Sequence, residues 1–204
     1  MSTEKLDKSL EKELTALAKE GRTKSEERVI RGYIPPTGDR GPRYKLLGSD
    51  NEFMRLNSNS YLSLSNHPKL IDAADEATQK FGVGPGAVRF IDGTFIHHKR
   101  LEHRIADFLG KPSAKIFNSA YTANCGLALS ISDKQTHWIG DQLNHNSIIR
   151  AMRISNIPRE NKGIFKHNDM ADLERCLAEV GPKIKRVVVI FDGIFSMRGD
   201  HAPH

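Results

Sequence analysis

Residues 186–191 read Arg-Val-Val-Val-Ile-Phe, and the stretch Val187–Phe191 is the longest unbroken apolar run in the chain. A strand that is apolar on both faces suits the inside of a parallel sheet, where helices cover both sides. The residues before it alternate in the matching way. Lys115–Phe117 reads as a strand and 121–131 as a helix, then His137–Gly140 as a strand and 146–154 as a helix. Gly163–Phe165 is short and extended. A helix over 169–180 follows, with Met170, Leu173, Leu177 and Val180 on its inner face, and Gly181-Pro182 stops it. Strands alternating with helices predict an α/β layered fold with a mostly parallel sheet and Arg186–Phe191 as a central strand.

The first part of the chain is organised differently. Leu6, Leu10, Leu14 and Leu17 recur at helical spacing, which predicts a helix over residues 4–20 ended by Gly21. Residues 32–50 are rich in Pro and Gly and read as an extended linker, with a short strand, Phe53–Leu56, after it. Asn66-His67-Pro68 opens a further helix with Leu70, Ile71, Ala74, Thr78 and Phe81 along one face. A glycine-rich loop spans 82–93. Another helix runs from Lys99 to Leu109 with Leu101, Ile105, Phe108 and Leu109 as its apolar side. The expected division is a helix and linker at 1–56, followed by the main α/β domain at 57–204.

Composition removes several function classes. The net charge is +6 over 204 residues, but residues 1–50, 51–150 and 151–204 each carry +2. A nucleic-acid surface concentrates its cations in a stripe, so no nucleic-acid partner is expected. No apolar run approaches the roughly 20 residues of a membrane-spanning helix. The charged N-terminus has no apolar core like that of a secretory signal. With only 2 Cys, a reducing, cytoplasmic setting is the expectation. His97, His98 and His103 do not have a zinc-binding spacing, so no metal is expected.

Four segments carry chemistry. Phe117-Asn118-Ser119-Ala120-Tyr121-Thr122-Ala123-Asn124 ends a predicted strand and opens a helix, where free backbone N–H groups make an anion site. An ordinary turn with Ser or Asn as cap fits the same residues. Asp141-Gln142-Leu143-Asn144-His145-Asn146-Ser147 is the second such junction. A His at the carboxyl edge of an α/β sheet stands where ligands bind and can stack on a planar group, although a capping or loop histidine also fits. Asp192 and Ser196 emerge at the same edge after the apolar strand; the Ser hydroxyl can reach a ligand oxygen, or both can serve a tight turn. The glycines at 82, 84 and 86 follow a helix, not a strand, so a dinucleotide site is not supported.

Taken together and in order, these segments resemble the α-oxoamine synthases, a family of pyridoxal-phosphate enzymes. The resemblance runs from Asn57 to His204. It lies in N-S-Y-L-S-L-S-N-H-P at 59–68, G-P-G-A-V-R-F-I-D-G-T at 84–94, H-K-R-L-E at 98–102, L-N-H-N-S-I-I at 143–149, F-K-H-N-D at 165–169 and F-S-M-R-G-D-H-A-P at 195–203. It implies a fold-type-I transferase with a three-layer αβα domain, acting as a homodimer. The backbone of Ser119, Ala120 and Tyr121 would hold the cofactor phosphate. His145 would stack on the pyridine ring, Ser196 would hydrogen-bond its phenolic oxygen, and Asn59 matches a position that reaches substrate. His145 and Ser196 would serve as the catalytic residues among these.

The implied reaction joins an amino acid, often glycine, to an acyl-CoA, with pyridoxal 5'-phosphate as electron sink. The resemblance places the lysine that anchors the cofactor, the Asp that pairs with the pyridine nitrogen and the small C-terminal domain after residue 204. The expectation is therefore a fragment, truncated before the second half of the large domain and inactive alone. Arg198 stands where the family usually has Asp. Two alternatives accompany this reading: a non-catalytic short form that dimerises with a full-length family member, and an aminotransferase of class I/II, which shares the fold.

Overall fold

The computed structural model describes residues 3–23 and 27–203, which fall into two compact units, Met1–Gly84 and Pro85–His204.

In the first unit, α1 (Glu4–Lys19) carries Glu4 and Asp7 in its first turn and Lys19 in its last, each at the helix end whose partial charge it opposes. Its C-terminus closes as a Schellman motif: Arg22 N donates to Leu17 O, Gly21 N donates to Ala18 O, and Gly21 takes φ +64°. Of the leucine stripe, Leu6, Leu10 and Leu14 are exposed and Leu17 is half-buried.

Residues 32–50 are not a linker. β1 (Ile30–Ile34), β2 (Arg43–Leu46) and β3 (Glu52–Phe53) form an antiparallel sheet in that order. Tyr33 faces Tyr44 and Tyr44 faces Phe53, with ring centroids 5.5 and 5.9 Å apart, and Arg55 lies over Tyr44. Cross-strand aromatic pairs of this kind hold a small sheet together. The Pro-Gly content goes to the connection, where Thr37 and Arg40 pair across the turn. The strand expected at Phe53–Leu56 ends at Phe53. Helix α2 (Pro68–Phe81) starts with Pro68 in its first turn and the His67 ring accepting from Lys69 N, but Leu70 and Ile71 stay exposed.

The second unit carries the α/β alternation: α3 (Ile96–Phe108), α4 (Ala120–Ile131), β4 (Thr136–Asp141), α5 (Asn146–Ile154), β5 (Lys162–Phe165), α6 (Met170–Ala178) and β6 (Arg186–Ile190). The three strands are parallel, in the order β5-β4-β6. Successive strand residues point to opposite faces. Trp138 packs with Ala128, Ile148, Ala151 and Met152 beneath α4 and α5, while Ile139 packs with Phe165 and Cys176 beneath α6. The unit is thus three layers, αβα. Gly140 lets α5 approach, because a Cβ there would lie 2.9 Å from the Met152 sulfur.

Two expectations change here. The strand buried along its whole length is β4, between β5 and β6; among the described residues β6 pairs with β4 alone, and Val187 stays exposed. Lys115–Phe117 runs extended but pairs with no strand among the described residues. Instead Ile116 N donates to the Glu102 carboxylate, and the Phe117 ring lies against Gly126 of α4, where a Cβ would stand 3.0 Å away. The supposed apolar side of α3 is also exposed at Leu101 and Phe108. The residues this helix buries are Glu102 and Ala106.

Candidate functional site

The first turn of α4 follows from its sequence. Ser119 is the N-cap, and its Oγ accepts from Thr122 N at 3.1 Å. Thr122 Oγ1 donates back to Asn118 Oδ1 at 2.7 Å, which fixes the entry of the chain into the helix. The amides of Ser119, Ala120 and Tyr121 have no partner among the described residues, as the start of a helix requires. The cap and the anion site therefore coexist: the side chain closes one donor and leaves the others open.

The β4–α5 junction is fixed from three sides. Asn144 is buried; its Nδ2 donates to Ile190 O at 2.8 Å and its Oδ1 accepts from Asp192 N at 3.1 Å, tying the turn to the end of β6. His145 N donates to Asp192 Oδ2 at 2.6 Å. The imidazole Nδ1 accepts from Ser147 N at 3.2 Å and lies 2.7 Å from Ser147 Oγ, which itself accepts from Asn124 Nδ2 of α4 at 2.9 Å. In a neutral ring, Nδ1 acts as the acceptor and the proton sits on Nε2. His145 itself is exposed, with its ring anchored by one nitrogen. These bonds join the starts of α4 and α5 and the end of β6 into one continuous edge.

Beyond β6 the chain makes a closed turn over 193–202. Phe195 N donates to Asp200 O at 2.9 Å, Ala202 N donates to Gly193 O at 3.1 Å, and Ile194 bridges His201. Ser196 sits at the exposed tip, and its hydroxyl has no partner among the described residues. Asn59 is exposed in the first unit. Asn124, Ser147 and Asn144, which hold this edge, were not singled out as site residues by sequence reasoning. Their signal lies in the junction segments 117–124 and 141–147 and, for Asn144 and Ser147, in the L-N-H-N-S-I-I motif.

Two ionic groups pair residues that lie in the quoted segments and motifs, among them Arg89, whose motif position implies a structural or near-site role, but their pairing was not foreseen. His167, after β5, places Nδ1 3.0 Å from Asp141 Oδ1 and Nε2 2.8 Å from Asp200 Oδ2. The Asp200 bond, then the Asp141 bond, raises its pKa above the ordinary imidazole value. Glu102 is buried and accepts from Arg89 Nη1 at 2.6 Å and Nη2 at 3.3 Å, as well as from Ile116 N. The Arg89 guanidinium, helped by the Ile116 amide, pulls its carboxyl down to about 2. Glu102 thereby ties the loop before α3 to the segment that leads into α4.

Residues 51–204 match the family described as aminotransferase class I and II. The chain is 46% identical over 162 residues to an 8-amino-7-oxononanoate synthase of Thermoanaerobacter pseudethanolicus, covering 79% of this chain and 40% of the relative. It is 42% identical over 191 residues to that of Citrifermentans bemidjiense, covering 94% of this chain and 46% of the relative. The chain thus spans less than half the length of these curated relatives. Among solved structures, a serine palmitoyltransferase from Sphingomonas wittichii superposes with TM-score 0.80 at 26% identity, covering 100% of this chain and 48% of that one. A serine palmitoyltransferase variant from S. paucimobilis with a bound PLP–myriocin aldimine gives TM-score 0.81 at 28% identity, with the same coverage.

Proposed function

Because the chain belongs to the aminotransferase class I and II family, in its α-oxoamine synthase branch with the fold-type-I architecture, we propose that it forms the cofactor-binding edge of a pyridoxal-phosphate-dependent acyltransferase. The reaction is the condensation of an amino acid of the glycine type with an acyl-CoA. The observation that carries this reading is the single sheet edge at which the open amides of Ser119–Tyr121, the anchored ring of His145 and the turn bearing Ser196 are linked by the Asn124–Ser147–His145–Asp192 bonds.

The donor set fits the cofactor. A phosphate suits the first turn of α4, where unpaired N–H groups and the positive end of the helix dipole favour an anion by about 0.3–2 kcal/mol. Tyr121 and Ala120 differ from smaller or more polar residues only in their side chains, and backbone donors are indifferent to that. His145 offers an exposed ring held by Ser147, which suits stacking on a flat heterocycle. The Ser196 hydroxyl is an unengaged donor for a phenolic oxygen. Bound there, pyridoxal phosphate supplies an electron sink for charge developing at the amino-acid α-carbon. The protein's part is to hold the phosphate, fix the plane of the ring and keep a proton at the Ser196 oxygen. Asn59 contacts substrate, the active unit is a homodimer, and residues 57–204 belong to the large domain.

The test is made on the polypeptide as its cell produces it, supplied with pyridoxal 5'-phosphate, acyl-CoA and single amino acids. Release of free CoA thiol that depends on the amino acid supports the acyltransferase. Transfer of the amino group to a 2-oxo acid without thiol release makes the protein an aminotransferase instead.

A further inference from the structure

We propose that His167 is a positioning residue: by engaging both stem residues of the 193–202 turn it holds Ser196 at the sheet edge, and it does so only while its imidazole carries both protons. The inference rests on the reading of Ser196 as a cofactor-facing side chain, but its geometry stands independently of that reading.

His167 meets the turn twice. The Phe195 ring packs against the imidazole at right angles, with centroids 4.4 Å apart and an interplanar angle of 86°. Asp200 Oδ2 lies 2.8 Å from Nε2. Phe195 and Asp200 are themselves joined by the Phe195 N–H bond to Asp200 O, so they form the stem on which Ser196 and Met197 are the tip. On its other side the ring is fixed to the sheet through Asp141, the last residue of β4. Asn168 reinforces both ends: its N donates to Asp141 Oδ2 at 3.0 Å and its Nδ2 to His201 O at 3.1 Å.

The proton count follows from the partners. Ionised carboxylates only accept, so each ring nitrogen must carry hydrogen to bond its own carboxylate. The ring is then an imidazolium between two anions. Arg198 Nε, 3.6 Å from Asp200 Oδ2, brings the group of Asp141, His167, Asp200 and Arg198 to zero net charge. The remaining charged neighbours on the β5–α6 connection are Lys166, Asp169, which caps α6 through Asp172 N, and Asp172, which accepts from Lys166 N.

A neutral ring keeps one N–H. Asp141, with a side chain 1% exposed and also accepting from Leu143 N and Asn168 N, is held by the backbone. Asp200 is 34% exposed and has one oxygen without a partner, so it is the bond given up. The folded-state pKa of His167 is raised. Its contribution is therefore complete below the unfolded value of about 6.5 and is lost as pH rises through the folded value. Above that point the turn opens.

The test is amide hydrogen exchange by NMR on the whole chain, corrected for intrinsic base catalysis, with Ile139 of β4 as the reference amide. The expected result is that opening at Phe195 and Ala202 rises about tenfold as His167 loses its proton, the equivalent of one charge-assisted hydrogen bond. In His167→Gln those amides are open at every pH, and Ile139 is unchanged. Asp200→Asn, which retains a carbonyl acceptor on the surface, lowers the His167 titration midpoint and serves if the Gln variant does not fold. Exchange at Phe195 and Ala202 that is flat through the His167 titration in the unsubstituted chain overturns the proposal. So does equal loosening of Ile139 in His167→Gln. Dissociation constants for pyridoxal 5'-phosphate separate the two readings: an open turn with unchanged affinity leaves the latch standing and removes Ser196 from the cofactor site.

Discussion

At the scale of single residues, the edge depends on amide groups that serve two elements at once. Asn144 is the clearest case, since its one side chain satisfies Ile190 O and Asp192 N while its backbone leads into His145. Asn144→Ala leaves a buried donor and acceptor unpaired, which costs about 1–3 kcal/mol. The expected result is a lower urea midpoint at unchanged m-value, together with faster exchange of the His145 amide. A midpoint like that of the unsubstituted chain removes Asn144 from its place as the clamp. The core answers to the same reasoning: Trp138 is fully buried and its Nε1 donates to Ser132 Oγ at 2.9 Å. Trp138→Ala is expected to cost about 3–5 kcal/mol, read as loss of a cooperative thermal transition near that of the parent.

At the scale of elements, the Arg89–Glu102 pair holds a loop, a helix and an extended segment together. Its pH signature has a definite sign. The folded pKa of Glu102 is depressed to about 2, so its contribution is present above the ordinary carboxylate value and disappears as pH falls toward 2. Glu102→Gln is expected to flatten the stability profile between about pH 4.5 and 2, followed by chemical denaturation across that range. An unchanged slope counts against the pair. This contact also shows where sequence reading stops. Helices α4, α5 and α6 and strands β4 and β5 were legible from periodicity and from Gly and Pro, to within a few residues. The partner of Glu102 was not, because Arg89 lies in a loop and nothing local encodes a pair 13 residues apart. The same holds for Lys115–Phe117, whose strand-like composition says nothing about whether a neighbour pairs with it. Tyr33 and Tyr44 make the opposite point: strand residues hidden among prolines and glycines were read as linker.

At the scale of the whole molecule, large apolar side chains stand in solvent in both units. Leu56, Leu62, Val83, Phe90 and Phe108 each expose more than four-fifths of their surface. So many fully exposed large apolar side chains favour association with another surface. In sedimentation the chain is expected to associate beyond its 22.9 kDa mass, whereas a monodisperse monomer at high concentration contradicts that. No helix among the described residues is long and apolar enough to cross a membrane. Three of the motifs by which the family was legible, at 143–149, 165–169 and 195–203, lie at the ends of β4, β5 and β6, where chemistry restricts residue types. The positioning bonds were not legible, because they join residues far apart in the chain.

The central claim is that the edge formed by the starts of α4 and α5 binds pyridoxal phosphate. The most direct measurement is a titration of the isotope-labelled chain with pyridoxal 5'-phosphate, followed by amide NMR. The account predicts saturable shifts at Ser119, Ala120, Tyr121 and His145, with affinity about tenfold weaker in His145→Ala, the equivalent of one aromatic stacking contact. Shifts that do not saturate, that fall elsewhere, or that His145→Ala leaves untouched would contradict it.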